Sequence, residues 1–504
     1  MYRKASTIFF NLIDNSLRNR PLFQELDYFY SWEDVKYKAS EIFEHIAELK
    51  QNQSELEKVL IVSDNTFFVL SSFISCWCLE LIPIMPNGLK YENYENILND
   101  KLCILLENSE TSAGLPSGIS QHLIKLSPRK SNNPLNLDFI KAVKYIADEP
   151  SRELAKTIIQ MTSGSTGTPK AISRTLDSLY RENYTLYDLI LKKIEDVDDL
   201  KLISTVPNFH AYGIEFRFLL PILNNICSYN QMIIYQEQLK KFDDTEKYIL
   251  ITSPGFLKRL DSSENKLNIK QTVSAGGKLN ERAFQVVRKY FGKPIIDILG
   301  STETGVMAYR ITMTSDKYMH PNGSNTFYVL NGNNILMHEG SGRLALESDY
   351  IPNEFKLTIP DTKGELHAVF VSEDLIELNS NQNLRVLGRT SRVIKIEDNR
   401  VSLDDIEKAL LDLDFISECA VVPSYDSARE CTVAMLVLSD QGNCFLKNNS
   451  KGKLLMHIRK SLHGIIQIAL PRKILIVNEI PQTPNGKTDY QRIKESFGNE
   501  VPNH

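Results

Sequence analysis

The sequence is poor in the features that mark secreted, membrane-spanning and nucleic-acid-binding proteins. Its 504 residues contain seven scattered cysteines, and an odd, dispersed set is a poor disulfide framework, so we expect a reducing compartment. Cys76 and Cys78 lie close together, but no second Cys/His pair nearby would complete a zinc site. There is no Lys/Arg-rich stripe and the formal net charge is −5, which argues against nucleic acid as a partner.

Long apolar runs are scarce as well. The N-terminal run Ile8–Ile13 is interrupted by Asn11, is too short for a signal peptide and is followed by no small-residue cleavage site. The best candidate span, residues 67–85, contains serines, Glu80 and Pro83 and lacks basic flanks, which favours a buried helix. We therefore expect a cytoplasmic protein without a membrane span.

What remains is a globular composition, with 42% hydrophobic and 24% charged residues, in a chain too long for one ordinary domain. Short apolar runs alternate with helical patterns, beginning with a strand at 59–63, a helix within 67–85 and a strand at 81–85. Further buried strands are predicted at 202–206, 232–235, 248–252, 272–275 and 294–299, with a helix at 281–291. This alternation predicts an α/β chain with largely parallel sheets.

The pattern changes near residue 310. Residues 312–342 are polar and turn-rich, and residues 364–394 alternate in short β stretches at 367–371, 374–378, 384–387 and 392–396. A helix is predicted to begin at Ser402, because Asp404 and Asp405 in its first turn suit the helix dipole. The last hundred or so residues therefore predict a small α+β unit.

The most informative segment is residues 158–170, which read IIQMTSGSTGTPK. Glycines let backbone N–H groups approach an anion, hydroxyls donate further bonds, and the final lysine adds positive charge, so the segment predicts a polyphosphate cradle. It is not a Walker loop, since Gly164 and Gly167 are only three apart. The candidate ligands are Thr162, Ser163, Gly164, Ser165, Thr166 and Lys170.

Together with six segments that follow in order, this loop resembles the superfamily of adenylate-forming enzymes, which includes acyl- and aryl-CoA synthetases, peptide-synthetase adenylation domains and luciferases. The resemblance covers nearly the whole chain, from about Ser31 to Lys487. It implies a large N-terminal domain at 1–387, with stacked, mostly parallel sheets and helices, a hinge at 388–391 and a small mobile α+β domain at 392–504. The matching segments are 206–213, 274–279, 298–305, 372–375, 388–395 and 481–487.

The resemblance also implies roles for individual residues in binding ATP and Mg²⁺. Thr302 would contact phosphate, Glu303 would hold Mg²⁺ as a carboxylate suited to that hard cation, and Asp374 would accept from both ribose hydroxyls. Arg389 would pair with nucleotide oxygens. The implied nucleotide-binding set outside the phosphate loop is Gly276, Leu299, Gly300, Ser301, Thr302, Asp374, Arg389 and Lys487.

The implied chemistry is attack by a carboxylate oxygen on the α-phosphorus of ATP, followed by transfer of the acyl group to the thiol of CoA or of an acyl carrier protein. Lys487 stands where the family keeps its catalytic lysine, and His210 would line the acid pocket. The implied catalytic set is Lys487, Glu303, Thr302 and His210.

The identity of the acid is narrowed by one position. Relatives that activate amino acids commonly place Asp after the phenylalanine of the second motif, where this chain has His210 after Phe209. An aryl, aryl-acrylic or fatty acid is therefore favoured, and the motif variants at 300–310 and 395–403 resemble ligases of aryl-polyene pigment pathways. The acceptor, and whether the protein is a monomer or a homodimer, stay open.

The chain departs from the family pattern at several points. Leu299 replaces an aromatic that stacks on adenine, Ser391 occupies the usual hinge position, and Asp398 lies where a glycine usually follows the hinge. Ser372 and Glu373 precede Asp374 in place of Thr-Gly. These departures weaken the inference of thiol transfer more than that of adenylation, because Ser391 and Asp398 lie at the hinge and near the thiol channel.

Three alternatives follow from these departures and from the loop. One is a relative that binds nucleotide or acid without turnover, which Leu299 and Asp398 favour and the retained Glu303, Asp374, Arg389 and Lys487 oppose. Another keeps adenylation but uses an oxygen or amine acceptor. A kinase or Walker-type NTPase is excluded, since neither a Walker spacing nor a kinase catalytic loop is present.

Overall fold

The chain divides into two compact units in a computed structural model. The N-terminal unit comprises residues 1–316, 321–325 and 348–356, and the C-terminal unit comprises 317–320, 326–347 and 357–504. The structure describes residues 7–25, 27–89, 101–107, 123–127, 129–162, 170–194, 197–260, 267–277, 279, 281–313, 318–396, 399–426, 429–463, 470–483 and 487–497.

The N-terminal unit alternates strands and helices along most of its length. Its strands are β1 (Pro21–Glu25), β2 (Tyr28–Ser31), β3 (Lys58–Val62), β4 (Ile82–Met85), β5 (Leu102–Glu107), β6 (Leu123–Leu126), β7 (Thr157–Thr162), β8 (Lys170–Thr175), β9 (Leu200–Ser204), β10 (Cys227–Tyr229), β11 (Lys247–Thr252), β12 (Ile269–Ala275), β13 (Ile295–Ser301) and β14 (Gly305–Thr312), and β15 (His320–Pro321) lies at the boundary with the C-terminal unit. Its helices are α1 (Ile8–Ile13), α2 (Trp32–Asn52), α3 (Thr66–Cys78), α4 (Leu137–Ala147), α5 (Pro150–Leu154), α6 (Leu176–Leu186), α7 (Ala211–Gly213), α8 (Leu220–Leu223), α9 (Pro254–Arg259) and α10 (Glu281–Tyr290), with π-helical turns at Tyr187–Leu191 and Ile214–Leu219.

Two sheets organise this unit. The first has the order β6-β5-β3-β4-β7-β8 and is parallel except for its final pair, β7-β8. The second has, within the described part of the chain, nine strands in the order β15-β14-β13-β12-β11-β9-β10-β1-β2. Its pairs from β13 through β1 are parallel, and the pairs β13-β14 and β1-β2 are antiparallel. The predicted α/β architecture with mostly parallel sheets is confirmed.

The sequence accounts for these elements through burial and capping. Residues 66–77 of α3 are all buried, so a helix that is apolar all round belongs in the core, as predicted for segment 67–85. The longest helix, α2, begins at a reciprocal capping box between Ser31 and Asp34. Among the described residues, no helix combines the length and the apolar character that crossing a membrane requires.

The C-terminal unit is β-rich and also contains four α-helices among its described residues. Its strands are β16 (Thr326–Leu330), β17 (Leu336–Met337), β18 (Gly340–Glu347), β19 (Leu357–Pro360), β20 (Leu366–Leu378), β21 (Leu384–Arg389), β22 (Val393–Ile396), β23 (Asn399–Ser402), β24 (Ile416–Asp426), β25 (Arg429–Leu438) and β26 (Lys473–Ile476). Its helices are α11 (Leu403–Leu411), α12 (Asp440–Asn448), α13 (Lys451–His463) and α14 (Tyr490–Ser496).

Three sheets divide these strands. One has the order β17-β16-β18-β20-β19 with β21 paired to β20, one is the hairpin β22-β23, and one has the order β24-β25-β26. The helix α11 begins where the sequence predicts, because the side chain of Ser402 accepts the N–H of Asp405. Leu410, Leu436 and Leu454 share a separate buried cluster with residues of α11, α13 and β24–β26.

The strand predicted at 232–235 is wrong. The described strand there is β10 (Cys227–Tyr229), and the N–H groups of Ile234 and Tyr235 donate to the side-chain oxygen of Gln238 at 2.7 and 2.8 Å. These donors therefore cap the 3₁₀ helix Gln236–Lys241 instead of joining a sheet ladder.

The prediction that residues 312–342 are polar and turn-rich is incomplete, because the strands β16 and β17 lie within this segment. The β stretches predicted at 367–371 and 374–378 belong to one strand, β20, whose pairing with β18 shifts register between Val371, opposite Ala345, and Leu375, opposite Arg343. A bulge of this kind interrupts the alternation of side chains and makes one strand resemble two in sequence.

Candidate active site

Several of the candidate segments of the N-terminal unit lie at one edge of its second sheet. Strands β9, β11, β12 and β13 are adjacent and parallel, so their carboxyl ends point the same way. The segment that leads to His210 follows β9, Gly276 follows β12, and the turn of Thr302 and Glu303 follows β13. In open α/β sheets, ligands bind in the crevice outside the carboxyl ends of the strands.

The segment before His210 is anchored by polar contacts with the loop after β3. The backbone N–H of Asn208 donates to Asp64 Oδ1 at 2.8 Å, and its side-chain amide donates to the Asp64 carbonyl at 3.0 Å. Buried Arg217 donates to both carboxylate oxygens of Asp64 at 2.8 Å and to the carbonyl of Val206 at 3.1 Å. Sequence reasoning missed Asp64 and Arg217, whose only signal is charge inside otherwise apolar segments.

His210 itself is half-buried and immediately precedes α7, and its ring lies 4.8 Å from the ring of Phe209. Gly213 closes this motif, and a Cβ there would lie 1.8 Å from the carbonyl oxygen of Pro207. The glycine is required by this close approach of backbone to backbone. The motif therefore holds the imidazole of His210 at the edge of the sheet on a fixed turn.

The glycine turn after β12 is exposed. Gly276 has φ +87, a conformation that residues with a Cβ rarely adopt. Beside it, the hydroxyl of Tyr212 donates to the carbonyl of Val273 at 2.8 Å, which ties the His210 segment to β12. The two segments are thus joined at the same edge of the sheet.

The turn between β13 and β14 carries the candidate magnesium ligand. Ser301 and Thr304 share a hydroxyl–hydroxyl bond of 3.0 Å, and the N–H of Thr304 donates to Ser301 Oγ at 3.3 Å. Glu303 is half-buried and makes no ion pair with any residue that the structure describes. A carboxylate in that position fits a hard divalent cation.

A buried cluster of charged side chains contacts the backbone just after this turn. Glu182 accepts the N–H of Val306 at 2.6 Å and a guanidinium N–H of Arg174 at 2.9 Å, and Arg174 also lies 3.2 Å from Glu215. The φ of Gly305 is +62, and a Cβ there would lie 2.1 Å from the Glu182 carboxylate. Burial, and then the charge of Glu182, raise the pKa of Glu215 well above its usual range.

The phosphate-loop prediction falls mostly outside the described residues. Ser163, Gly164, Ser165 and Thr166 lie in the segment 163–169, of which the structure describes nothing. Its two ends are described, because Thr162 closes β7, Lys170 opens β8, and the two residues face each other in the antiparallel pair. The loop therefore begins and ends at the same point of the first sheet.

In the C-terminal unit, Asp374 and Arg389 are directly paired across β20 and β21. Arg389 Nε lies 3.3 Å from Asp374 Oδ1, and Ser372 Oγ donates to Asp374 Oδ2 at 2.6 Å. Ser372 replaces the usual threonine, and its hydroxyl orients the carboxylate. The structure thus brings together the two residues that resemblance assigned to ribose and nucleotide oxygens.

Lys487 lies in the same unit, next to an antiparallel bridge between Gln482 and Thr488. Its carbonyl accepts the N–H of Thr483 at 2.8 Å, and its side chain is exposed. Of the departures from the family pattern, Leu299 is half-buried and Ser391 is exposed in the 3₁₀ helix Thr390–Arg392. Asp398 lies outside the described residues.

The comparisons with known proteins point the same way as this geometry. Residues 19–349 match the family model described as AMP-binding enzyme, and residues 405–487 match the model described as AMP-binding enzyme C-terminal domain. The first match spans well over half of the chain.

Curated relatives are distant. The chain is 22% identical over 451 residues to a plipastatin synthase polypeptide of Bacillus subtilis (strain 168), an alignment that covers 82% of this chain but only 16% of that protein. It is 20% identical over 473 residues to the D-alanine–D-alanyl carrier protein ligase of Lactiplantibacillus plantarum, covering 87% of this chain and 88% of that one.

Among solved structures, the chain is similar to a benzoate CoA ligase from Burkholderia xenovorans LB400. The TM-score is 0.73 at 16% identity, with 97% of this chain and 99% of that chain covered. At this identity the likeness shows the fold alone. It agrees with the predicted large domain of mostly parallel sheets followed by a small C-terminal domain.

Proposed function

Because the chain belongs to the family of AMP-binding enzymes, we propose that it adenylates a carboxylic acid with ATP and then transfers the acyl group to a thiol. The observation that carries the proposal is the arrangement at the second sheet, where His210, Gly276 and Glu303 follow the carboxyl ends of parallel strands. Such an edge is where α/β proteins bind nucleotides.

The first step forms one bond and breaks one. An oxygen of the substrate carboxylate attacks the α-phosphorus of ATP, the bond to the bridging oxygen of the β-phosphate breaks, and pyrophosphate leaves with that electron pair. A carboxylate is already nucleophilic enough, so the residues position the reactants and neutralise charge rather than move protons. Bound Mg²⁺ would offset the charge of the phosphates.

Glu303 would hold Mg²⁺, because its half-buried carboxylate makes no ion pair with the described residues around it. Thr302 beside it and the loop 162–170 would bind the phosphates through hydroxyl and backbone donors. The buried Glu182 fixes the backbone just after this turn through the N–H of Val306. The turn is therefore preorganised, which is what charge stabilisation needs.

Asp374 would bind the ribose hydroxyls, since Ser372 orients one of its oxygens. Arg389, paired with Asp374, would bind nucleotide oxygens, and Lys487 would bridge the acid and the α-phosphate. Three predicted roles thus fall on residues of the C-terminal unit. In this scheme, movement about 388–391 withdraws Lys487 before the thiol attacks the acyl carbon and AMP leaves.

We infer an aryl or fatty acid as the substrate, because His210 stands where relatives that activate amino acids commonly carry a carboxylate. The D-alanyl carrier protein ligase, which the chain matches over 88% of that protein, supports a carrier-protein acceptor. An assay in two stages, pyrophosphate exchange followed by thioester formation, identifies first the acid and then the acceptor.

The test is acid-dependent ATP–pyrophosphate exchange with benzoates, cinnamates, short to long fatty acids and amino acids. We expect exchange with one class of acid, and we expect Lys487→Ala to lower it at least about 100-fold, the loss typical of one preorganised transition-state donor. Lys453→Ala, which removes an exposed lysine of α13 in the same unit, is the matched control and should exchange normally.

Activity of Lys487→Ala close to that of Lys453→Ala would remove Lys487 from the mechanism. Absence of exchange with every acid, from protein shown to be folded and to bind ATP, would support a relative that binds without turnover. With the active acid in hand, supplying CoA or a phosphopantetheinylated carrier protein separately identifies the acceptor by which thioester forms.

A further inference from the structure

A cluster of metal-ligating side chains lies in the C-terminal unit and has no part in the proposed reaction. Asp361, Glu365 and His367 each offer one ligand atom, and these atoms all lie within 4.8 Å of one another. His338 adds an imidazole nitrogen 3.6 Å from Asp361 Oδ2. We propose that these four residues bind a structural divalent cation of the zinc type.

Asp361 is set for this task by its own backbone. It opens the turn between β19 and β20 and is 4% exposed. Its Oδ1 accepts the N–H groups of Lys363 and Glu365 at 2.8 and 2.9 Å, which leaves Oδ2 directed at the histidines. A turn that holds one carboxylate oxygen and leaves the other for a ligand fixes the direction of the lone pairs.

His367 supplies the second, independent observation. Its Nδ1 lies 3.3 Å from Glu347 Oε2 and 3.2 Å from the hydroxyl of Tyr328, which itself donates to Glu347 Oε2. In the tautomer with a hydrogen on Nδ1, the imidazole donates to these two oxygens. Its Nε2 then carries a lone pair, is fully buried and has no hydrogen-bond partner among the described residues. A carboxylate that fixes the far nitrogen of an imidazole is the usual companion of a metal-bound histidine.

The distances match two ligands around one ion rather than hydrogen bonds. His367 Nε2 and His338 Nε2 lie 3.9 and 3.6 Å from the same oxygen, Asp361 Oδ2, which is too long for an N–H···O bond. Ligand bonds of about 2.0–2.1 Å at a tetrahedral angle would separate the ligand atoms by roughly 3.4 Å. These two distances exceed that separation by only tenths of an ångström, and a bound cation would also draw in the Glu365 carboxylate, since the ligand atoms of Asp361, Glu365 and His367 lie within 4.8 Å of one another.

The donor set selects the metal. Two imidazoles with two carboxylates suit Zn²⁺, Co²⁺ or Ni²⁺ better than Mg²⁺ or Ca²⁺, which prefer oxygen ligands throughout. The ion would tie the turn Asp361–Glu365 to His338, which follows β17, and to β20. Leu336 of β17 already forms a backbone bridge with Asp361, so the ion would complete a join between two hairpins.

The test uses the full chain, stripped with a chelator, dialysed and titrated with Zn²⁺ against a chromogenic chelator. We expect one equivalent to bind and to raise the unfolding temperature. Asp361→Asn, which keeps the turn acceptor, and His367→Gln should each abolish the binding. Glu347→Gln should weaken it by about 10–100-fold, the loss typical of an outer carboxylate.

His457→Gln removes an exposed histidine of α13 elsewhere in the same unit and should bind zinc like the unaltered chain. If Asp361→Asn fails to fold, His338→Gln replaces it, because that side chain is half-exposed. The proposal is overturned if zinc binding survives in His367→Gln and also in Asp361→Asn, or in His338→Gln where that variant replaces Asp361→Asn. The absence of binding by the unaltered chain would also overturn it.

Discussion

Arg174, Glu182 and Glu215 place two carboxyl groups around one guanidinium in the interior of the N-terminal unit, where all three are at most 2% exposed. One positive charge balances one carboxylate, so the second carboxyl group is stable only if it keeps its proton. Burial raises the pKa of Glu215 and Glu182 raises it further, while Glu182 accepts from both Arg174 and Val306. Glu215 is therefore the protonated partner.

The two carboxyl groups should respond differently to the same isosteric change. Glu215→Gln replaces a neutral acid with a neutral amide and should change the unfolding free energy by less than about 1 kcal/mol. Glu182→Gln removes the charge that balances Arg174 and should cost about 3–5 kcal/mol. Urea unfolding at pH 7 measures both. Equal losses, or a larger loss for Glu215→Gln, would contradict this assignment of the proton.

At the scale of elements, the hairpin β13-β14 carries the Glu303 turn on a buried cross-strand ion pair. Asp297 and Arg310 face each other in register, and Arg310 donates to Asp297 at 2.7–2.8 Å. Burial raises the pKa of Asp297 from 3.8 to about 6, although Arg310 opposes the shift. Between those values the folded state binds more protons than the unfolded state, so stability falls as pH rises.

This ion pair predicts a measurable pH dependence. From about pH 4 to pH 6, Asp297 should lower the unfolding free energy by about 3 kcal/mol in total, at 1.36 kcal/mol per unit of pKa. Asp297→Asn should remove that fall, whereas Asp138→Asn, at an exposed position of α4, should leave it unchanged. Denaturant titrations across this range check the difference, and parallel profiles for all three proteins would refute it.

How far elements could be predicted from sequence depends on where their backbone donors go. Strands β3, β4, β11, β12 and β13 were predicted because continuous apolar runs are typical of buried parallel strands. The strand predicted for the apolar run at 232–235 is absent, because the N–H groups of Ile234 and Tyr235 donate to the side-chain oxygen of Gln238. That contact is with one side chain, and no periodicity predicts it.

The residues of the candidate site also differ in whether the sequence predicts them. His210, Gly276, Glu303, Asp374 and Arg389 were predicted because they lie in segments that match a family motif. The residues that hold them in place lie in no motif: Arg217 follows the His210 segment closely, whereas Asp64 and Glu182 contact the site from distant parts of the chain. Charge within apolar sequence was the only signal for Asp64 and Arg217, and it does not identify a partner; Glu182, between Arg181 and Asn183, carries no such signal.

At the scale of the whole molecule, the two half-reactions are expected to need different positions of the predicted small domain, with rotation at 388–391. Arg389 has φ −127 and ψ 145 and precedes the 3₁₀ helix Thr390–Arg392. Its N–H donates to Asp404 of α11 at 3.1 Å, which ties the segment to the helix that follows. Thr390 is the first residue of this 3₁₀ helix, a position where proline fits without the loss of an intrahelical hydrogen bond.

Thr390→Pro should therefore preserve the present backbone while restricting rotation. Proline fixes φ near −65° at position 390 and holds Arg389 in the extended region it already occupies. We expect acid-dependent pyrophosphate exchange to stay within about threefold and thioester formation to slow at least about tenfold, since restrained gating slows only the step that needs the motion. Single-turnover assays of the two steps measure this, with Thr390→Ala as the control that removes the side chain alone. Equal slowing of both steps, or of neither, would place the rotation elsewhere in the chain.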